Sequence, residues 1–223
     1  MVYARCAMAR NFGDIPARGS GGMPVKQSFT RNLDEHVGYI QGQLCKSIRD
    51  GETRQLAVRL VSGSFDDEYD RRTGQEVRVV RGFGKNFLAP PGPTCVPKDA
   101  ACEIEKIWDF VVLNFRYVYD PADIDTFATV RESLDAGGGD CDDGLILFAG
   151  LLMSIGFPVV ARVISTTDAP DTWVHIYPLV GNKKDDPTKW IPLDMTVEGA
   201  TPGWEYQHIA RTRDYLLHCR GGS

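Results

Sequence analysis

Apolar residues fall at helical spacing between residues 34 and 62. Val37, Ile40, Leu44 and Ile48 recur every three or four positions, and Asp50-Gly51 ends the run. A second short helix is predicted over residues 52–61, with Leu56, Val58 and Leu60 partly buried. The pattern changes over residues 63–99. An acidic stretch, Asp66-Asp67-Glu68, leads to a strand-like run from Glu76 to Arg81, then to glycines and the Pro90-Pro91-Gly92-Pro93 sequence. This reads as a hairpin or long loop inserted between helices. Helical spacing returns from about Asp99 to Phe115, with Ile104, Ile107, Trp108, Val111, Val112 and Phe115 on the apolar face. Residues 117–121 leave it as an extended segment, because Pro121 disfavours helix at Asp120, and a loop follows to Gly139.

The next segment is apolar almost all round. Leu145, Ile146, Leu147, Phe148, Leu151, Leu152 and Met153 predict a central, buried helix, which Gly156 and Pro158 stop. Three strands are predicted after it. The first is 159–164. The second is 172–180, with Trp173, His175, Tyr177 and Leu179 on one face and Val174 and Ile176 on the other. The third is 190–194, where Pro192 points to an edge or a bulge. Residues 1–33 show no hydrophobic period. Five basic residues there face one acid, Asp14, and the segment is read as an extended basic arm, with a tail of no role as the alternative. The organisation expected is therefore an arm over 1–33, a domain over 34–206 carrying the insertion 63–99, and a C-terminal tail over 207–223.

Composition adds exclusions. A net charge of −5 gives no electrostatic case for sequence-specific nucleic acid or for an anionic membrane. No apolar run approaches the ~20 residues of a membrane helix, and the first residues lack the apolar stretch of a secretory signal. Cytoplasmic synthesis is the expectation. The six cysteines (6, 45, 95, 102, 141 and 219) contain no CxxC pair, so zinc-ribbon spacing is absent. Cys95 and Cys102 stand close enough in sequence to pair, but a disulfide framework is not expected in a chain this long without an export signal.

Candidate chemistry concentrates at Gly137-Gly138-Gly139-Asp140-Cys141-Asp142-Asp143. Asp140 is a good N-cap, and Asp143, three positions on, stands where a capping-box acid sits. Cys141 thus falls in the first turn of a buried helix, where unpaired N–H groups favour thiolate. The flanking acids oppose this, so a nearby base is required. His175 on the second strand and Asp194 at the end of the third supply a base and the carboxylate that orients it, if the strands are antiparallel neighbours. The acids around Cys141 lack the alternating ligands of a calcium loop and read as caps; neither metal nor cofactor is expected. His36, His208 and His218 have no partner in the pattern and are assigned surface or helix roles, and the other cysteines are taken as inert.

Three ordered blocks, GGGDCDDGLILFAGLLMSIGFPVVARVI, WVHIYPLV and WIPLDMT, resemble the transglutaminase-like superfamily. The order of the chain, with Gly203-Trp204-Glu205 following, is similar to a subgroup encoded by tailed phages. Met195 departs from the Pro often found after the strand Asp, and 63–99 looks like an insertion. The resemblance implies an α+β, papain-like fold with the nucleophile helix packed on a small antiparallel sheet, and Cys141, His175 and Asp194 as catalytic residues. It implies a cysteine peptidase, amidase or acyltransferase acting on peptide or side-chain amides through a thioester, with hydrolysis favoured. The Cys141 N–H is one expected oxyanion donor; among the upstream aromatics Tyr117, Tyr119 and Trp108, Tyr119 is the choice for the second. Trp173 and Trp190 are expected at the core and cleft wall. The alternative is a phage virion structural or assembly protein that retains the fold, incorporated in the particle and touching other virion proteins through the arm.

Overall fold

A computed structural model describes residues 32–70, 73–120, 125–170 and 172–219. The arm expected over 1–33 lies outside them except for its last two residues. Asn32 caps the first helix through its side chain, and Leu33 begins that helix and packs in the core, so the domain starts earlier than position 34.

Helix α1, Leu33–Arg49, runs into α2, Gly51–Ser62, with Asp50 closing the first and capping the second. Leu56 and Leu60 are fully buried, whereas Val58 is 41% exposed, because the buried stripe of α2 continues through Thr53 and Ala57 instead. The segment 63–99 is more than a hairpin. Strands β1 (Asp66–Asp70), β2 (Gln75–Gly82) and β3 (Lys85–Leu88) form an antiparallel sheet in that order. Phe83 and Gly84, both with positive φ, make the two-residue turn between β2 and β3. Val80, Phe83 and Phe87 from this sheet join the main core, which makes the insertion part of the packed body.

Helix α3, Ala100–Asn114, is capped by Asp99. Val112 is 46% exposed, and Phe110, which the apolar pattern passed over, is fully buried against Phe87. Where a loop was expected, α4 (Val130–Ala136) forms behind a capping box made by Thr129 and Glu132. Around it, β4 (Arg116–Tyr117) pairs in parallel with β5 (Gly138–Gly139). Helix α5, Cys141–Ser154, is buried along almost its whole length and packs on α1, α2, α3 and α4 on one side and on a four-stranded antiparallel sheet on the other.

That sheet has the order β8-β7-β6-β9, from β6 (Val159–Ser165), β7 (His175–Gly181), β8 (Trp190–Pro192) and β9 (Arg211–Leu216). Two expectations change here. Strand β7 begins at His175, so this residue opens the strand instead of sitting mid-strand. The expected tail 207–223 contains β9, which pairs along β6 from Val160 to Ser165. The edge position of β8 agrees with Pro192. The whole is a mixed helix and sheet architecture with small antiparallel sheets, in keeping with a papain-like core.

Contrary to the expectation of reduced thiols, two disulfides are present. Cys45 on α1 is joined to Cys219 after β9, and Cys95 to Cys102 at the start of α3. Among the described residues Cys141 is the cysteine outside both bridges. No helix among them is long and apolar enough to cross a membrane.

Candidate active site

Cys141 is the first residue of α5 and is 3% exposed. Asp140 accepts a hydrogen bond from the Asp142 N–H at 3.0 Å and also holds the Asp143 N–H, while Asp143 accepts the Asp140 N–H at 3.3 Å. This reciprocal capping fixes the first helical turn and hence the thiol. Gly139 is required by the same contact. A Cβ there would stand 2.3 Å from Asp143 Oδ2 and 2.6 Å from its Cβ. Asp143 also accepts the Ala128 N–H at 2.8 Å. Its carboxyl is pushed up to about 6. Burial is the main cause and the neighbouring Asp142 charge adds to it, against the two N–H bonds.

On the sheet side, His175 Nε2 lies 2.8 Å from Asp194 Oδ2, both side chains being buried. Burial alone would raise the Asp194 pKa. The adjacent His175 and the bonds from Thr196 outweigh it and hold the carboxyl below its usual range. Thr196 donates to Asp194 Oδ1 from both its hydroxyl, at 2.7 Å, and its N–H, at 3.0 Å. The Tyr206 hydroxyl stands 3.3 Å from that of Thr196, and its ring meets the His175 imidazole edge-on at 5.7 Å. Burial, with the Asp194 charge second, keeps the Tyr206 hydroxyl protonated. Sequence reasoning missed Thr196 and Tyr206. The signal for Thr196 was its place two residues after an Asp, where a side chain–backbone turn forms.

With Nε2 committed to Asp194, the nitrogen of His175 that remains is Nδ1, which is buried and has no hydrogen-bond partner. Cys141, Asp194, Thr196, Tyr117 and Phe115 line one small cavity. Its volume of about 10 Å³ is at the lower limit for a single water. Helix α5 therefore presents the sulfur to the space that the Asp194 side borders, and the space is narrow. A wide groove of about 1110 Å³ runs beside it, bordered by Phe87, Tyr119, Gly139 and Asp143.

The other expected residues separate. Tyr119 is 57% exposed and faces the wide groove, whereas Tyr117 lines the cavity with Cys141. Trp108 stacks on Phe148 in the core. Trp173 is half-buried, with the Arg211 guanidinium over its ring at 4.8 Å. Trp190 pairs with Gly181, at the opposite end of β7 from His175, roughly 20 Å away at strand spacing, and so cannot wall this cleft.

His36, assigned a surface or helix role from the pattern, lies in helix α1 and is fully buried there, which removes the surface alternative. Its Nε2 lies 3.1 Å from Asp142 Oδ1, and its ring packs edge-on against Phe127 at 5.0 Å. Cys141 Sγ in turn lies 3.8 Å from the same Asp142 oxygen. Asp140, Cys141 and Asp142 bring one donor atom each within 4.8 Å of one another. With Asp140 engaged in capping and Asp142 facing His36, we read this cluster as the wall behind the thiol and assign it no metal.

The sequence model of the transglutaminase-like superfamily matches residues 94–195, just under half of the 223 residues. The match takes in Cys141, His175 and Asp194 and leaves out His36, Thr196 and Tyr206. No curated protein matches the chain.

Proposed function

We propose that the transglutaminase-like segment is a thiol acyl-transfer site, with Cys141 as nucleophile, His175 as base and Asp194 as the group that holds the base. The observation that carries this reading is the state of His175. One nitrogen is fixed on a carboxylate and the other is buried without a partner. Leaving a buried polar atom unsatisfied costs about 1–3 kcal/mol, a cost that a group with no task would be expected to lose.

In this reading the Cys141 proton passes to His175 Nδ1, and Asp194 stabilises the imidazolium through the Nε2–H bond. The thiolate attacks an amide carbonyl. Negative charge on the carbonyl oxygen develops against the Cys141 N–H, at the positive end of α5. The imidazolium then protonates the departing amine as the C–N bond breaks, leaving a thioester. Water, or a second amine, gives its proton to His175 and releases the acyl group. Peptide or side-chain amides are the substrate class, hydrolysis is the favoured outcome, and no cofactor is called for. The cavity is too narrow for a substrate carbonyl until a side chain at its rim moves; Gly139 and Asp143, which line the wide groove and adjoin the first turn of α5, mark the side of approach.

A virion scaffold that keeps only the fold, the reading that the tailed-phage resemblance offers, has no use for an open imidazole nitrogen. Labelling with an amide-mimicking, thiol-reactive probe at neutral pH decides between the two. Selective modification of Cys141, slowed about 10²–10⁴-fold in His175→Ala, is expected of the enzyme. Labelling of Cys141 at the rate of an unfolded thiol, unchanged in His175→Ala, rejects it.

A further inference from the structure

Two histidine–aspartate pairs lie on the two sides of α5. The His175–Asp194 pair comes from the sheet. The second, His36–Asp142, joins α1 to the first turn of α5, with both side chains fully buried and 3.1 Å apart. The Asp142 oxygen that faces His36 is also the one 3.8 Å from Cys141 Sγ. We propose that His36 is a positioning residue for the reaction: by supplying the counter-charge to Asp142, it allows Cys141 to exist as a thiolate. The inference rests on the thiol–imidazole reading given above and deepens it.

A thiolate at this place stands between two buried carboxylates, Asp140 and Asp142, whose oxygens lie within 4.8 Å of it. Asp140 is compensated by the N–H groups it caps at the positive end of the helix. Asp142 sits beside the sulfur, and the thiol is one of its donors. When the thiol proton leaves for His175, Asp142 loses that donor and meets a like charge at the same instant. A cation on its other side offsets that charge, and the imidazole 3.1 Å away provides it when protonated. Among the described residues, Asp142 faces His36 at 3.1 Å, with Cys141 beyond it and Asp140 and Asp143 in the same helical turn. From the segment 125–128 the neighbour is the Phe127 ring, which excludes water from the pair.

The test reads the thiol itself. Iodoacetamide alkylation of Cys141 is followed across pH 5–10, with a chelator present, in the full chain and in His36→Gln, His175→Ala and the double variant His36→Gln/Asp142→Asn. His36→Gln is expected to raise the apparent thiol pKa by about one unit and slow alkylation at pH 7 about tenfold. Adding Asp142→Asn restores the rate to within about threefold, because charge and counter-charge are then removed together. A packing role predicts the reverse, since the double variant loses more contacts than the single one. If His36→Gln leaves the titration unchanged while His175→Ala alters it, or if the double variant is no better than the single, the inference is overturned. If His175→Ala also changes nothing, it is the underlying thiol–imidazole reading that fails. Should His36→Gln not fold, Asp142→Asn alone supplies the measurement. With the carboxylate gone and the imidazole kept, alkylation of Cys141 at pH 7 should be faster than in the unaltered chain, and an unchanged or slower reaction rejects the proposal.

Discussion

Burial holds the Asp143 carboxyl near 6, while the imidazole of His175 and the Thr196 bonds hold Asp194 low, so the two acids answer pH in opposite senses. For Asp143 the folded chain binds the proton more tightly than the unfolded one. Its ionisation therefore removes stability as pH rises from about 4 to about 6, by about 3 kcal/mol for a shift of this size. For Asp194 the folded value lies below the unfolded one. Its contribution is complete above about pH 4 and is lost as pH falls through the folded value. Urea melts of the unaltered chain and of Asp143→Asn should differ by an amount that declines between pH 4 and 6 and is level above it. The Asp194→Asn difference should instead grow from below pH 4 and level off. A constant difference across pH 4–7 for Asp143→Asn would contradict its burial cost. Gly139→Ala forces a methyl into the Asp143 carboxylate and should both destabilise the fold, by about 1–3 kcal/mol, and slow Cys141 alkylation by loosening the first turn of α5. At this scale the place of Cys141 at the start of the buried helix was legible from its cap, whereas His175, expected mid-strand, opens β7, and Asp194, expected to end its strand, lies two residues past β8. His36 was not legible. It lies more than 100 positions before its partner, on a helix whose apolar period gives no reason to single it out, and only folding brings α1 against the first turn of α5.

Helices α1, α2, α3 and α5 could be read from hydrophobic period and caps, since each buries a long stripe. Helix α4 escaped because seven residues give too little period, although the Thr129–Glu132 capping box was present in the letters. Strand β9 escaped for a different reason. Arg211 to Leu216 is mostly exposed and charged, and what recruits it is the open edge of β6 together with Arg162, which binds Asp214 through two nitrogens and Glu205 through the third. The seam between α4 and α5 depends on Gly150, where a Cβ would come 2.4 Å from Val130 Cγ2. Gly150→Ala should lower stability by about 1–3 kcal/mol in chemical denaturation, and adding Val130→Ala should recover part of it, since the clash is with one methyl. The Tyr177 hydroxyl donates to Glu205 at 2.7 Å from the strand that begins with His175. Tyr177→Phe should cost about 1 kcal/mol in the same assay, because Arg162 still holds Glu205.

For the molecule as a whole, the α+β class and the helix-on-sheet arrangement were implied by the resemblance of the three motif blocks, with which the order of helical and strand patterns agrees. Cross-linking did not, because pairing of Cys45 with Cys219 is a property of where α1 and the end of β9 meet in space. Peptide mapping after alkylation of the denatured, unreduced protein should find Cys45, Cys95, Cys102 and Cys219 unmodified and Cys141 modified. Modification of the first four would reject both bridges. Replacing Cys45 and Cys219 by Ser should lower unfolding free energy by about 2–5 kcal/mol, the range for closing a long loop.

The Cys45–Cys219 bridge also decides how the protein bears a load. With a sequence separation of 174 between its ends, it short-circuits nearly all of the described structure when the chain is pulled from its termini. Tension runs through the sulfurs and leaves the sheet and the buried helix slack. A single-molecule tether should therefore lengthen by roughly 600 Å more after reductant is added than before it, the contour that those positions release once they can straighten.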